Sequence, residues 1–275
     1  MRRIDTKWQD RADRYLLLDN TDEFTQQCTH HNVRFGSGNW YGGHGVDDAI
    51  RHLHTGLESM VTPSDRMVED LEGTEIHTKK WRNMDDCVGS IPNVPAMLAG
   101  HPMNMRRRQK LDQDDAPITV FIDLDSSGGI DADDVLSRGT AALALTRLLS
   151  DHRPVELWAG VAMCIPHDHP SGCSTVAWRI DTAPLDLARA AYALCSPAVS
   201  RGLGYNLSHA VHGSNGSWPF NSYDTHAKSG QERLEWVFDQ KVLYIPGMFL
   251  TDDLISRPAA WIKRELEKYT HKGEE

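Results

Sequence analysis

Residues 117–135 read Pro117-Ile118-Thr119-Val120-Phe121-Ile122-Asp123-Leu124-Asp125-Ser126-Ser127-Gly128-Gly129-Ile130-Asp131-Ala132-Asp133-Asp134-Val135, and this stretch decides the fold class. Ile118 to Ile122 is an unbroken β-branched and aromatic run, the pattern of a strand covered on both faces of a parallel sheet. Serines and glycines break the run. Asp131 then predicts a helix N-cap, and Asp134 three residues on puts carboxylates at the positive end of that helix. Ala132 through Leu149 are mostly good helix formers, with Val135, Ala142, Leu145 and Leu149 on one broad face, and Arg153-Pro154 stops them.

Downstream the alternation continues. Val155 to Val161 and Ser174 to Ile180 predict two more strands, and the short loop between Val161 and Ser174 suits an antiparallel hairpin. Pro184 predicts the start of a helix through Leu194 that ends before Pro197. Residues 201–230 read as a loop rich in Gly, Asn and Ser. Lys241 to Ile245 predicts a fourth strand, and Pro258 opens a terminal helix with Trp261, Ile262, Leu266 and Tyr269 inward. Strands alternating with helices predict an α/β domain over 117–275 with an open, mostly parallel sheet.

Upstream, residues 85–116 read as a connector broken by Pro92, Pro95, Gly100 and Pro102. It carries the basic run Arg106-Arg107-Arg108-Gln109-Lys110, which Asp112, Asp114 and Asp115 follow as charge partners. Residues 1–84 form a smaller mixed α+β part. In it, residues 35–43 are a glycine-punctuated turn bearing Trp40 and Tyr41. Val46, Ala49, Ile50 and Leu53 mark a helix with Gly56 as its C-cap, and Met67, Val68 and Leu71 mark another.

Composition narrows the function. The formal charge is −10, which argues against broad nucleic-acid binding because that needs a basic surface. No apolar stretch approaches the roughly 18 to 20 residues of a membrane span, and no apolar core follows Arg2-Arg3, so a secretory leader is not expected. Five scattered cysteines, an odd number, predict reduced thiols and a cytoplasmic chain. There is neither a Gly-x-Ser-x-Gly elbow nor a phosphate-binding Gly-Lys-Ser/Thr loop.

Two clusters could hold metals. Asp123, Asp125 and Ser127 follow the carboxyl end of a strand, where open α/β sheets bind ligands, and their oxygens suit Mg²⁺ or Ca²⁺. Cys164, His167, His169 and Cys173 lie within ten residues at a hairpin tip and suit Zn²⁺ by ligand type, although their spacing matches no zinc module. A third set, Arg106, Arg107, Arg108 and Lys110 with Trp40 and Tyr41, offers phosphate contacts and stacking rings. Histidines 30, 31, 44, 52 and 54 read as surface groups, and His52 and His54, two apart, cannot share a helix face.

The loop after the first of these strands resembles the metal-ion-dependent adhesion motif Asp-x-Ser-x-Ser of the von Willebrand A family. Asp123 matches its first acid and Ser127 its last serine, while Asp125 replaces the middle serine. The family places a further acid after a later strand; here Pro246-Gly247 stands at that place, and Asp252 and Asp253 come later. Other stretches resemble a family of uncharacterised proteins common in bacteriophage genomes. These are Trp40-Tyr41-Gly42-Gly43 with the helix that follows, Val94-Pro95-Ala96 to Pro102 with Met105-Arg106-Arg107, and 130–149 with Val155-Glu156-Leu157-Trp158. That resemblance implies a phage or prophage origin, in host cytoplasm or virion, and carries no activity.

Three functions are therefore expected in turn. The first is a non-catalytic interaction or assembly protein whose von Willebrand A-like edge, acidic from Asp123 to Asp134, meets a virion component or a ring ATPase. The second is a phosphoester hydrolase with Mg²⁺ or Mn²⁺ on Asp123 and Asp125. The third is a nucleic-acid accessory protein using the basic run.

Overall fold

In the computed structural model the strands are, in chain order, β1 (Arg2–Trp8), β2 (Arg11–Leu18), β3 (Trp81–Asp86), β4 (Ile91–Pro92), β5 (Met105–Lys110), β6 (Ile118–Asp123), β7 (Val155–Cys164), β8 (Ser171–Ile180) and β9 (Val242–Ile245). The helices are α1 (Thr21–His30), α2 (Val46–Thr55), α3 (Thr62–Glu72), α4 (Val94–Leu98), α5 (Ala132–Ser150), α6 (Leu187–Cys195), α7 (Tyr205–His212), α8 (Ala227–Phe238) and α9 (Pro258–Thr270). The structure describes residues 1–8, 11–72, 81–110, 117–126, 128–150, 154–164, 171–212, 227–248 and 257–270.

The main sheet has six strands in the order β1-β2-β8-β7-β6-β9. Strand β6 lies between β7 and β9 and is parallel to both, and every one of its residues is buried. The expected hairpin is β7–β8, antiparallel from Leu157↔Ile180 to Cys164↔Cys173. Strand β2 then runs parallel to β8, and β1 antiparallel to β2 at the edge. The chain is thus α/β with a mixed sheet, in which parallel pairings predominate around β6 as the unbroken apolar runs predict.

Helices cover both faces. One core joins Leu16, Val120 and Ile122 of the sheet to Leu143 and Leu145 of α5 and Tyr192 of α6. The other joins Tyr15, Leu17, Phe121 and Trp158 to Leu234 and Val237 of α8. Helix α5 is buried along most of its length, beyond the single face expected of it. It reaches α6 closely because residue 139 is glycine: a Cβ there would stand 2.4 Å from the Leu194 carbonyl oxygen.

The sheet runs across the expected boundary at residue 84. Strand β2, missed in the sequence, is an inner strand, and Tyr15, Leu16, Leu17 and Leu18 are all buried. Phe24 of α1 stacks on Trp178 of β8 with ring centroids 3.9 Å apart. Asp65 of α3 pairs with Arg147 of α5 at 2.6 Å. The described parts of 1–72 and 117–270 therefore contribute to the same two cores. Only the last four of the eight residues of β2 form an apolar run, and a run of that length has no period that separates a strand from a buried helical turn.

The expected connector is also structured. Strands β3, β5 and β4 form a separate three-stranded antiparallel sheet, and α4 lies between β4 and β5. The expected loop after residue 200 begins as a π-helical turn, Ala198–Gly204, that continues into α7. Helix α8, not foreseen, follows from residue 227. Helix α6 starts at Leu187, capped by the Asp186 carboxylate on the Arg189 N–H, rather than at Pro184.

Candidate functional site

Strand β6 delivers Asp123 to the carboxyl edge of the sheet, yet its side chain turns inward and is fully buried. Three donors satisfy it. The Asp125 N–H and the Ala162 N–H of β7 donate to Oδ1 at 3.1 and 3.3 Å, and the Tyr244 hydroxyl of β9 donates to Oδ2 at 3.0 Å. Asp123 thus ties β6 to both neighbouring strands. Burial, then the nearby Asp125 charge, raises its pKa to about 7, against the pull of the Asp125 N–H, Arg138 and Tyr244.

Arg138 of α5 occupies the region where a partner acid was expected. Its guanidinium donates to the Ile245 and Pro246 carbonyls at the end of β9. A Cβ on Gly247 would stand 3.5 Å from Asp123 Oδ2, and the Met248 N–H donates to the Asp125 carbonyl at 2.8 Å. The acids of this edge are therefore held by backbone, a tyrosine and a cation. Among the described residues no group of three or more His, Cys, Asp or Glu converges on a metal position. Ser127, Asp252 and Asp253 lie outside the described residues.

The raised pKa gives a prediction with a definite sign. An unfolded carboxyl ionises near 3.8, whereas Asp123 in the fold keeps its proton to about 7. Between those values the folded state binds more protons, so this group's contribution to stability is full below pH 4 and is lost as pH rises toward 7. The slope approaches about 1.4 kcal/mol per pH unit for one fully coupled site. Asp123→Asn keeps the acceptor oxygen and removes the titration. Urea melts from pH 4 to 8 should show a smaller fall in stability for the variant than for the parent; parallel curves would refute the assignment.

A second cation closes the loop from the outside. Arg201, in the π-helical turn, donates from Nε to Ser126 Oγ at 3.1 Å, from one terminal nitrogen to the Trp40 carbonyl at 3.4 Å, and from the other to the Ile130 carbonyl. Its guanidinium lies 3.8 Å from the centre of the Trp40 ring. Burial lowers its pKa, with Asp131 and Asp125 opposing. Trp40 thus belongs to this edge, not to the basic run. Tyr41, expected as a stacking group, packs on Phe35 and the core with centroids 4.8 Å apart.

The basic run is strand β5. Arg106 pairs with Asp85 at 3.1 Å and Arg107 with Asp86 at 3.0 Å, both acids of β3, while the expected partners Asp112, Asp114 and Asp115 lie outside the described residues. The side chains of Arg108 and Lys110 lie outside the described ones. Ion pairing across a two-stranded ladder reduces what either guanidinium offers to phosphate.

At the hairpin tip Cys173 is disulfide-bonded, which corrects the expectation of five reduced thiols. A sulfur in that state is no zinc ligand. Its ladder partner is Cys164, while His167 and His169 lie outside the described residues. Among the N-terminal histidines, His44 is half-buried and hydrogen bonded to the Tyr192 hydroxyl at 2.9 Å, so it is not the surface group expected. His54 meets Thr25 at 3.1 Å and Asp22 at 3.2 Å. His52 turns instead toward the Gly56 carbonyl at 3.2 Å, as their spacing requires.

Arg138, Arg201 and Tyr244 were not singled out in the sequence. A signal was present for the first two: each is a lone cation amid small and apolar residues, Leu136-Ser137-Arg138-Gly139 and Val199-Ser200-Arg201-Gly202. A guanidinium in such text is buried and needs partners.

An exposed apolar set lies elsewhere among the described residues. Val88, Ile91, Val94, Met97, Leu98 and Met103 are all exposed; Ile91 is on β4, Val94, Met97 and Leu98 are on α4, and Val88 and Met103 lie in the turns that join these elements to β3 and β5. Val94, Met97 and Leu98 share one helix face by their spacing. The hydrogen bonds and ion pairs described for residues 81–110, such as Asn93 to Asp85, close within that segment.

Over residues 8–269 the chain matches the family described as Domain of unknown function (DUF7192), and it belongs to that family. No curated protein and no solved structure matches it. Among the described residues no helix is long and apolar enough to cross a membrane.

Proposed function

We propose that this member of the DUF7192 family is a non-catalytic interaction or assembly protein that docks a protein partner on the small sheet and α4. One observation carries the reading: the exposed apolar set between Val88 and Met103, with Leu98 84% and Val88 73% exposed. Apolar side chains gathered this way on one module mark an interaction surface more often than chance exposure. Methionines 97 and 103 add the adaptable contact that partner-binding faces favour. The edge at Asp123 supports the same reading by its inertness: its carboxylate oxygens face tyrosine and backbone donors, not solvent.

The finer proposals follow from likeness. The order β8-β7-β6-β9, with β6 parallel to both its neighbours and β7–β8 a hairpin, supports a von Willebrand A-like scaffold. On that reading the chain comes from a phage, acts in host cytoplasm or virion, and meets a virion component or a ring ATPase. A warrant drawn from fold alone ranks below the exposed face.

The face is tested by charge. Val88→Asp with Leu98→Asp should leave the thermal midpoint within about 2 °C, since exposed substitutions change stability little. A protein that co-purifies stoichiometrically with the parent chain from its native cells should be lost from the double variant. Recovery of the same protein with both chains contradicts the reading.

A further inference from the structure

Among the described cysteines, Cys28 and Cys195 are buried thiols that burial pushes up to about 12, and Cys87 is exposed beside Asp86. Cys173 differs from all three. It is disulfide-bonded and 2% exposed, and one terminal nitrogen of Arg233 donates to its Sγ at 2.8 Å. Its own N–H donates to Asp13 Oδ1 at 2.7 Å. Arg233 Nε pairs with Asp13 Oδ2 at 3.2 Å, and the Tyr15 hydroxyl donates to the same oxygen at 3.2 Å.

Both members of the ion pair are almost wholly buried. The carboxylate from β2 thus fixes one edge of the guanidinium, and another N–H faces sulfur. A neutral disulfide sulfur is a weak acceptor for so costly a buried donor. A thiolate at the same place is a strong one, and a neighbouring arginine is what lowers the energy of a cysteine anion.

We propose that the disulfide of Cys173 is a thiol-exchange site in which Cys173 is the leaving sulfur and Arg233 receives its thiolate. An external dithiol supplies the electrons. Its thiolate attacks the sulfur bonded to Cys173, a new sulfur–sulfur bond forms, and the bond to Cys173 Sγ breaks. The electron pair stays on Cys173, facing Arg233, so no proton is needed there. The second thiol of the dithiol, having lost its proton to water, displaces the remaining sulfur, which takes up a proton. The dithiol leaves as a cyclic disulfide. A better-stabilised leaving thiolate speeds the first step and favours the reduced state. Because Arg233 is on α8, the state of the sulfur is coupled to the contact that Leu234 and Val237 make with the sheet.

The test uses the full chain carrying Cys87→Ser, so that the exposed thiol does not label. The protein is equilibrated over a range of reduced to oxidised dithiothreitol, quenched in acid and alkylated. Cys173 is then read by peptide mass spectrometry, with circular dichroism following the fold. Cys173 should reduce while the fold persists. Asp13→Asn, which removes the negative charge that Asp13 sets beside Arg233, should shift the midpoint toward easier reduction. Arg233→Met should shift it toward harder reduction, the two variants differing by about tenfold or more in the ratio, the worth of one charged hydrogen bond. Arg233→Lys should stay nearer the parent than Arg233→Met does. Loss of packing alone would move all the variants the same way. A common direction, no shift in any variant, or reduction only where the circular dichroism signal collapses overturns the proposal.

Discussion

A chain beginning at residue 19 should not fold. Removing β1 and β2 strips the β8 edge of a parallel partner register that runs from Arg14↔Ser174 to Leu18↔Trp178. It also deletes Tyr15, Leu16, Leu17 and Leu18, which insert into the cores on both faces of the sheet. At about 1.5–3 kcal/mol for each buried large apolar side chain, the loss is comparable with the whole stability of a domain, about 5–15 kcal/mol. Asp13 goes with them, leaving Arg233 buried without its carboxylate, a further loss of about 3–5 kcal/mol. Circular dichroism and amide dispersion in a two-dimensional NMR spectrum should report a chain without cooperative unfolding. A truncated chain that melts cooperatively near the parent midpoint would show that the N-terminal strands are an accessory to the sheet.

That prediction also marks where the sequence was legible. The elements around Asp123 were readable from composition and length: an unbroken β-branched and aromatic run for β6, a long stretch of helix formers for α5, and two strand-like runs joined by a short loop for the β7–β8 hairpin. Strand β2 was not readable, because the apolar run of four that follows Arg14 suits a buried helical turn as well as a strand, and no Gly or Pro bounds it. The small sheet hid behind its own composition. Prolines and a basic run read as a linker, but Arg106 and Arg107 sit opposite the strand that carries Asp85 and Asp86, and cross-strand charge pairs are visible only once the register is known.

The site was legible in position and not in role. Asp123 was placed correctly after a buried strand, where this class of sheet binds ligands. What the sequence could not show is that its carboxyl points inward to Tyr244, more than a hundred residues away in the chain. Nor could it show that Arg138 and Arg201 clamp the same edge from two helical segments. Trp40 was read as a stacking group and is one, but for Arg201 rather than for a base.

The second large effect concerns the small sheet and α4. Asp86 of β3 and Met105 of β5 stand opposite one another at the end of their ladder. Residues 87–104 can therefore be replaced by a two-residue Asn-Gly turn, which closes antiparallel strands with the correct twist. The exchange removes the whole exposed apolar set, including Val88, Ile91, Met97 and Leu98, while none of these belongs to the cores of the main sheet. The expected result is an intact body: the same far-ultraviolet circular dichroism per residue of sheet and helix retained, and a thermal midpoint within about 3 °C of the parent.

The most direct measurement is co-purification of the turn-closed chain from the cells in which the parent acts, scored by stoichiometry against the parent. A docking module predicts a folded body that has lost its partner. A folded body that still carries the partner at the parent's stoichiometry would place recognition on the main sheet and contradict the account.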